Sequence, residues 1–458
     1  MPKKKTALTI EERLQQALVP EAEQPYEIPQ NWVWCRLGAV AEVKGGKRLP
    51  KGMTFSEKVT AHPYIRVTDF SDNGISLDEL KYIDDKVFEK ISRYTISTED
   101  VYISIAGSIG KVGIIPKCMD GANLTENAAK ITNIQVLDKK YLYLFLKSEF
   151  AQFQMKTSTI AITQSKLALF KIESITLPLS PVNEQQRIVN RIEKLFAKLD
   201  EAKEKLQEVV DGFAVRKAAI LHKAFTGELT KKWRVKNWVS DDSWEERTLD
   251  SVCKSIFDGD HMPPPKSERG IPFLVISNVN TGYLSFEKCR FVSEEYYNAL
   301  SETRTPENGD ILYTIVGSYG IPVMVDTDKK FCFQRHIALL KPEKVYNRFL
   351  WYQLQTQKFF AQATEIATGT AQLTVPIKGL RRLIVVCPPE TEQHEIVRLI
   401  DSLLERERRA QQAAEEALAN IELLKKSILA RAFRGELGTN RAEEESALEL
   451  LKRTLAEK

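Results

Sequence analysis

Two long stretches of the chain carry apolar residues at alternating steps of four and three. The first begins at Ile188 and ends at Ile220, and the second runs from Ile396 to Ile428. This spacing predicts two heptad helices, each burying one narrow face. The residues that we assign to the buried faces are Ile188, Ile192, Leu195, Leu199, Leu206, Val209 and Phe213 in the first helix, and Ile396, Ile400, Leu403, Ile421, Leu424 and Ile428 in the second.

Length favours pairing of these two helices with each other. Neither stretch contains proline, and the single interior glycine is Gly212 in the first. A helix from about Glu184 to Lys231 would extend for roughly 70 Å, too far for one small domain to cover. We therefore expect an antiparallel coiled coil; the alternative is that each helix packs on its own domain. Arg216 and Glu407 are polar exceptions on the buried faces.

Upstream of each helix the pattern changes to short apolar runs separated by glycine and proline. Such runs predict strands at 101–105, 113–115, 273–276 and 311–316, with helical stretches at 141–158 and 348–364. The predicted fold class is α+β, with two tandem globular domains joined by two long helices that form an antiparallel coiled coil.

The whole arrangement occurs twice. The segment Ile220–Leu229 (ILHKAFTGEL) returns 208 residues later as Ile428–Leu437 (ILARAFRGEL), and Glu184–Val189 returns as Glu392–Val397. A repeat of this length is a duplicated module with its connector. The predicted segments are an N-terminal helical segment (1–27), domain 1 (28–181), a first spacer helix (182–235), domain 2 (236–389), a second spacer helix (390–437) and a C-terminal helical tail (438–458).

The two ends of the chain resemble each other in pattern. Short amphipathic helices are predicted at 9–18 and 442–455, and we expect them to pack near one another.

Composition narrows the possible functions. The net charge of +4 is only mildly basic, so any binding of nucleic acid must depend on local clusters or on partners. No apolar run is long enough to span a membrane, and no secretory signal is recognisable. Six cysteines without C-x-x-C spacing indicate reduced thiols in the cytoplasm and argue against a zinc site.

Catalytic motifs are missing from the sequence. The chain has no G-x-x-x-x-G-K-[ST] loop, no G-x-S-x-G elbow and no H-x-x-x-H spacing among its five histidines. Neither an adenine methyltransferase motif nor an acidic nuclease cluster is recognisable. We therefore interpret the chain as non-catalytic, without a metal site.

Polar loops remain as candidate binding elements. The glycine-flanked loop 45–52 places basic residues where they can bond guanine edges or phosphates, although solubilising charges on an exposed hairpin would give the same pattern. The Gly-Ser-x-Gly turns would serve as tight turns in any β protein, and the glutamines of the two polar loops could equally cap a buried turn. The candidate DNA-binding residues are Lys47, Arg48, Lys51, Arg66, Thr68, Ser108, Lys111, Gln164 and Lys166 in domain 1, and Lys266, Asn278, Asn280, Ser318, Tyr319, Arg335, Thr370, Gln372 and Thr374 in domain 2.

Several segments together resemble the specificity subunits of Type I restriction-modification enzymes. They are 122–130 (ANLTENAAK), 309–318 (GDILYTIVGS), 177–186 (LPLSPVNEQQ) and the paired Ala-Phe-x-Gly-Glu-Leu. The resemblance covers nearly the whole chain and implies two target-recognition domains, each reading one half of a bipartite, asymmetric double-stranded DNA site in the major groove.

The same resemblance implies the partners. The paired helices would set the spacer between the half-sites and dock two methyltransferase subunits, which recruit two restriction subunits. S-adenosylmethionine, ATP and Mg²⁺ are then expected on those partners and not on this chain, and no membrane is involved. Two alternatives stay open: a coiled-coil adaptor whose globular ends bind protein, and a stand-alone enzyme that cleaves or modifies DNA.

Overall fold

A computed structural model describes residues 9–71, 74–158, 166–259, 264–265, 267–370 and 372–457. The helices and strands of the first repeat are α1 (Ile10–Ala17), β1 (Val33–Arg36), α2 (Leu37–Val40), β2 (Glu42–Gly45), β3 (Pro63–Ile65), β4 (Phe70–Ser71), β5 (Gly74–Ile75), β6 (Lys81–Tyr82), α3 (Asp85–Ile91), β7 (Val101–Ser104), β8 (Val112–Ile114), β9 (Asn123–Leu124), β10 (Ala128–Thr132), α4 (Lys139–Lys147), α5 (Glu149–Thr157), α6 (Leu169–Glu173), β11 (Thr176–Leu179), α7 (Val182–Asp211) and α8 (Phe213–Phe225).

The second half of the chain follows the same order of elements, except that its described residues contain no counterpart of β4 and β5 and its long helix is continuous. It comprises α9 (Lys231–Lys236), β12 (Glu245–Thr248), α10 (Leu249–Val252), β13 (Cys253–Asp258), β14 (Ile271–Leu274), β15 (Arg290–Val292), α11 (Glu294–Asn298), β16 (Ile311–Thr314), β17 (Pro322–Met324), β18 (Cys332–Phe333), β19 (Ile337–Pro342), α12 (Asn347–Gln353), α13 (Gln357–Glu365), α14 (Ile377–Leu380), β20 (Ile384–Cys387), α15 (Glu390–Ala432) and α16 (Ala447–Ala456).

The chain divides into two compact units, and each contains one domain with parts of the long helices. Unit 1 comprises 1–205 and 417–458, and unit 2 comprises 206–416. In unit 1 a four-stranded sheet has the order β2-β10-β7-β8, a smaller sheet has the order β6-β3-β9, and β1 pairs with β11. Unit 2 repeats this plan as β13-β19-β16-β17, β15-β14-β18 and β12-β20. The predicted duplication of an α+β module is confirmed.

A buried glutamate ties the start of each long helix to its domain. In unit 1, Glu184 accepts hydrogen bonds from Trp32 Nε1 at 2.7 Å and from Asn440 Nδ2 at 2.8 Å. In unit 2, Glu392 accepts hydrogen bonds from Thr230 Oγ1 at 2.6 Å, Arg234 Nη1 at 2.8 Å and Trp244 Nε1 at 3.1 Å, and it is completely buried.

Besides the tryptophan of its own domain, each glutamate is bonded by residues that follow the Ala-Phe-x-Gly-Glu-Leu segment of the other long helix. Asn440 follows the second Ala-Phe-x-Gly-Glu-Leu segment, yet it bonds the glutamate of the first repeat; Thr230 and Arg234 follow the first such segment, yet they bond the glutamate of the second. Each domain is therefore held by the helix end of the other repeat.

The long helices pair antiparallel, as expected from the sequence. In unit 1, Asp200 accepts a hydrogen bond from Lys425 Nζ at 2.5 Å, and Lys203 donates to Glu422 at 2.9 Å, so the numbers fall on one helix as they rise on the other. In unit 2, Arg216 pairs with Glu407 on the facing helix. The two polar exceptions on the buried faces thus satisfy each other.

Heptad positions differ in how deeply they are buried. Ile188, Ile192, Ile396 and Ile400 are fully buried, and they join the cores of their own domains as well as the helix pair. Ile421 is also buried. Seven further assigned residues are half-buried: Leu195, Leu199, Leu206, Val209, Phe213, Leu403 and Ile428.

The assignment of Leu424 to the buried face is wrong, because half of its surface is exposed. Lys425 takes its place on the inner face, with its ammonium 5.4 Å from the ring centroid of Phe196 and paired with Asp200. A strict four-three count selected the leucine because it cannot anticipate a lysine whose alkyl stem packs inward while its charge finds a partner.

Three stretches that were predicted as continuous helices are divided, and the tail helix predicted at 442–455 begins only at Ala447. The first spacer helix stops at Asp211 and resumes at Phe213, and Arg216 Nη2 donates to the Val209 carbonyl at 2.7 Å beside the break at Gly212. The stretches 141–158 and 348–364 each form two helices, because Ser148 and Thr356 act as N-caps that start a new helix.

The terminal helices α1 and α16 pack together within unit 1, as expected, and Arg13 Nη1 donates to the Leu455 carbonyl at 3.2 Å. Within the described ranges, no helix combines the length and the apolar character needed to cross a membrane. The same residues contain no group of three or more His, Cys, Asp or Glu side chains placed to hold a metal ion.

Candidate nucleic-acid interface

Backbone hydrogen bonds bring five separate segments of domain 1 together along one edge. Lys47 N donates to Leu124 O at 2.8 Å, Thr125 N to Ile65 O at 3.0 Å, Ile105 N to Asn127 O at 2.8 Å, and Leu167 N to Ile105 O at 2.9 Å. We call this the turn edge of domain 1; it comprises residues 46–48, 65–71, 105–111, 125–127 and 166–167. The predicted loops, far apart in sequence, are thus neighbours.

Domain 2 has the same construction. Gly259 N donates to Ile337 O at 3.2 Å, Gln334 N to Leu274 O at 3.0 Å, Ile315 N to His336 O at 2.9 Å, and Val375 N to Ile315 O at 2.8 Å. The turn edge of domain 2 comprises residues 258–259, 274–280, 315–320, 334–336 and 372–375. Two equivalent surfaces therefore exist, one for each repeat.

A glycine allows the closest approach between turns in each domain. A Cβ atom on Gly46 would lie 2.1 Å from the Thr125 carbonyl oxygen, and one on Gly259 would lie 2.2 Å from the Phe333 carbonyl oxygen. Real Cβ contacts are not this short, so a larger residue would separate the loop from its neighbour. Gly46 therefore allows the basic loop to lie against its neighbouring turn, and Gly259 allows the same close approach in domain 2.

Most of the predicted binding residues are exposed on these edges or next to them. In domain 1 they are Lys47, Arg48, Lys51, Thr68, Ser108, Lys111 and Lys166; in domain 2 they are Asn280, Ser318, Arg335, Thr370 and Gln372, with Tyr319 and Thr374 partly exposed. Gln164 and Lys266 lie outside the described residues. Contact of these side chains with DNA stays a prediction.

Two predicted residues support the edge from within. The Arg66 guanidinium bonds Asp69, with Nη2 and Oδ1 2.6 Å apart, and also donates to the Glu79 carbonyl. Asn278 is buried, accepts a hydrogen bond from Val275 N and donates to the Glu287 carbonyl. The polar groups of both side chains are therefore engaged in holding turns, a role that their sequence positions did not distinguish from binding.

A cluster of lysines beside the 107–111 turn was missed by sequence reasoning. Lys111, Lys147 and Lys156 line one cleft of about 320 Å³ together with Gln152. Lys147 and Lys156 belong to helices α4 and α5, where lysine normally indicates a solvated face, so nothing in the sequence marked them. The cleft concentrates positive charge at the turn edge of domain 1.

The equivalent place in domain 2 is aromatic. The ring of Tyr319 stacks on Phe360 with centroids 5.5 Å apart, and its hydroxyl is 3.1 Å from Thr364 Oγ1. Phe360 occupies the position of Gln152, next to the corresponding glycine of the turn. The two turn edges thus have a similar backbone arrangement but carry different side chains.

Comparison with protein families identifies the class of this chain. A family model described as the Type I restriction modification DNA specificity domain matches twice, over residues 29–210 and 241–416. These matches cover most of the chain and correspond to its two repeats. The chain therefore belongs to the family of Type I restriction-modification DNA specificity proteins, and the resemblance seen in its sequence motifs is confirmed.

Individual relatives match along nearly their full lengths. The EcoBI specificity subunit of Escherichia coli is 27% identical, with 94% of this chain and 93% of the relative covered. The EcoKI specificity subunit of Escherichia coli strain K12 is 25% identical, with 94% and 96% covered.

Solved structures agree on the fold. The HsdS subunit from Thermoanaerobacter tengcongensis superposes with a TM-score of 0.63 at 20% identity, covering 91% of this chain and all of that one. A chain from a structure of the assembly and conformational transition of the type I R-M system has a TM-score of 0.65 at 19% identity, covering 90% of this chain and all of that one.

Proposed function

We propose that this chain is the DNA-specificity subunit of a Type I restriction-modification complex, in which each domain reads one half of a bipartite, asymmetric double-stranded DNA site. The observation that carries the proposal is the pair of equivalent turn edges with different side chains. A common backbone supports the same docking geometry, whereas exchanged side chains alter the hydrogen-bond partners offered to base edges. The chain itself performs no chemistry.

The paired helices connect the two DNA-reading domains and bind the catalytic partner subunits. We propose that they set the spacer between half-sites and dock two methyltransferase subunits, which in turn recruit two restriction subunits. Exposed apolar side chains support a docking role: Leu423 and Leu424 on α15 in unit 1, and Val215 on α8 in unit 2.

Cofactors belong to those partners in this proposal. S-adenosylmethionine, ATP and Mg²⁺ serve the methyltransferase and restriction subunits, and the methyltransferase flips the target adenine out of the duplex. The complex works on DNA in the cytoplasm. The mild net charge of +4 fits a reader that shares the enclosure of the duplex with its partners.

Mapping methylated adenines in cells that express this chain with its methyltransferase partner tests the function. We expect one motif made of two different half-sites at a single fixed spacing. Methylation without such a motif, or no dependence of methylation on this chain, would favour the coiled-coil adaptor. If the purified chain alone cuts or methylates DNA, the stand-alone enzyme is correct.

The lysine cluster makes a separate prediction about salt. Each phosphate contact contributes about 0.9 to the slope of log K against log salt concentration. If Lys147 and Lys156 contact phosphates, changing both to glutamine should reduce that slope by roughly two in binding titrations of the complex with the partner methyltransferase. The same double change at exposed Lys194 and Lys198 on α7 removes equal charge and should leave the slope unchanged. Equal slopes for both double variants would rule out a phosphate contact at the cluster.

A further inference from the structure

A cleft of about 400 Å³ opens on the turn edge of domain 1. Its apolar part is formed by Leu49, Phe55 and Tyr64, and its polar rim includes Arg48 and Glu126. The β9–β10 turn that carries Glu126 is bonded to the basic loop through Lys47 N and Leu124 O, so both sides of the rim have a fixed separation. Glu126 was not among the residues predicted from the sequence.

The carboxylate of Glu126 holds Arg48 in one orientation. Arg48 Nε donates to Glu126 Oε1 at 2.7 Å, and Thr125 Oγ1 donates to Oε2 at 3.0 Å. Partial burial raises the pKa of the Glu126 carboxyl, but the hydrogen bonds from Arg48 and Thr125 outweigh that effect and the pKa lies below its usual value. The carboxylate is therefore ionised at neutral pH.

The outer face of the same guanidinium remains available. The Arg48 side chain is 78% exposed, and within the described part of the chain its bond to Glu126 uses Nε and leaves the two Nη groups without a hydrogen-bond partner. The other guanidinium at this cleft, that of Arg66, is already occupied by buried Asp69 and the Glu79 carbonyl. Arg48 is thus the arginine of this cleft that can meet a ligand.

We propose that Arg48, oriented by Glu126, reads a guanine in the half-site of domain 1. The two Nη groups of an arginine match the O6 and N7 acceptors of guanine in the major groove, and this bidentate contact discriminates against the other bases. A carboxylate on Nε restricts the rotation of the guanidinium plane before DNA arrives, which lowers the entropy lost on binding. The inference rests on the proposed function and assigns one base to one residue.

Domain 2 carries different side chains at the equivalent turn. Gln334 and Arg335 of its β18–β19 turn stand where Thr125 and Glu126 stand in domain 1, since both turns follow strands paired in parallel with β14 and β3. An exposed arginine therefore replaces the carboxylate. Because position 335 carries no carboxylate, the pairing of Arg48 with Glu126 has no counterpart at this turn of domain 2, and we expect its effect to be confined to the half-site of domain 1.

Competitive binding to a set of duplexes tests the assignment. The complex of this chain with its methyltransferase partner is titrated against duplexes in which each base pair of half-site 1 is varied in turn. We expect Arg48→Ala to lose roughly ten- to hundredfold discrimination at one G·C pair of that half-site and to leave half-site 2 unchanged. Glu126→Gln keeps the shape of the side chain but removes its charge, and it should relax selectivity at the same pair by a smaller factor.

A matched control and two contrary outcomes complete the test. Arg36, also paired with a glutamate, lies on β1 outside the turn edge, and Arg36→Ala should leave every preference unchanged. If Arg48→Ala weakens binding equally for all sequences, Arg48 contacts a phosphate and the assignment is wrong. If Arg48→Ala changes nothing, the assignment is also wrong. The proposed function would still be supported if the wild type recognises a bipartite site. A wild type that recognises no bipartite site would refute the function itself.

Discussion

We expect Glu392→Ala to lower the free energy of unfolding of unit 2 by about 3–5 kcal/mol. Glu392 is completely buried, and the Arg234 side chain that it pairs with is 8% exposed, so solvent screens their interaction very little. Removing the carboxylate leaves a buried guanidinium with Asp241 as its remaining acidic partner and strips acceptors from Thr230 and Trp244. Denaturant unfolding followed by tryptophan fluorescence measures the effect.

A surface glutamate on the same helix provides the control. Glu405 on α15 bonds Arg408 and Arg409, and these partners lower the pKa of its carboxyl to about 2. The group is nevertheless partly exposed and screened by water, so Glu405→Ala should not shift the unfolding midpoint measurably. If the midpoints of the Glu392 and Glu405 variants coincide, Glu392 does not hold the start of α15 in place.

The corresponding change in unit 1 separates charge from hydrogen bonding. Trp32, Thr439 and Asn440, which donate hydrogen bonds to Glu184, are all neutral. Glu184→Ala leaves unsatisfied donors but strips no bonded cation of its partner, and it should therefore cost less than Glu392→Ala. A larger loss in unit 1 would contradict this ordering.

The long helices show what a sequence pattern specifies well. The heptad period predicted both helices and their pairing because apolar side chains at that spacing must be buried on one face. The antiparallel orientation followed from the order of domains and helices along the chain. The prediction failed where local interactions outweighed the period. Lys425 lies inward in place of Leu424 through its contacts with Phe196 and Asp200, and Gly212 divides the first helix where Arg216 bonds a carbonyl.

The turn edges show what could not be predicted from the sequence. The basic loop and the Gly-Ser-x-Gly turns were recognisable, but their meeting depends on pairing between strands far apart in the chain, such as β3 with β9. Composition also cannot distinguish a side chain that holds a turn from one that faces a ligand. Arg66 and Arg48 have the same chemistry, and a buried acid at Asp69 engages one of them while the other remains exposed.

Exchange of one domain should change half of the recognised DNA site. The exchange is best made between Leu37 and Ile175, with the matching segment of a relative that recognises a different site. These limits keep β1, β11 and the hydrogen bonds of Trp32 and Glu184, so the donor segment enters an unchanged frame. The turn edge of domain 1 is replaced as a whole, whereas that of domain 2 is untouched.

The reciprocal exchange between Leu249 and Leu383 is the matched control. It keeps β12, β20 and the contacts of Glu392, and it should alter the other half-site alone. Together the two chimeras show which domain determines each half-site, while the unchanged helices keep the spacer constant.

The measurement that tests independent reading most directly is a map of methylated adenines in cells that express each chimera with the same methyltransferase partner. We predict that each exchange replaces one half-site with that of the donor and preserves the other half-site and the spacer length. Simultaneous change of both halves, or continued methylation at the original site, would contradict the assignment of one half-site to each domain.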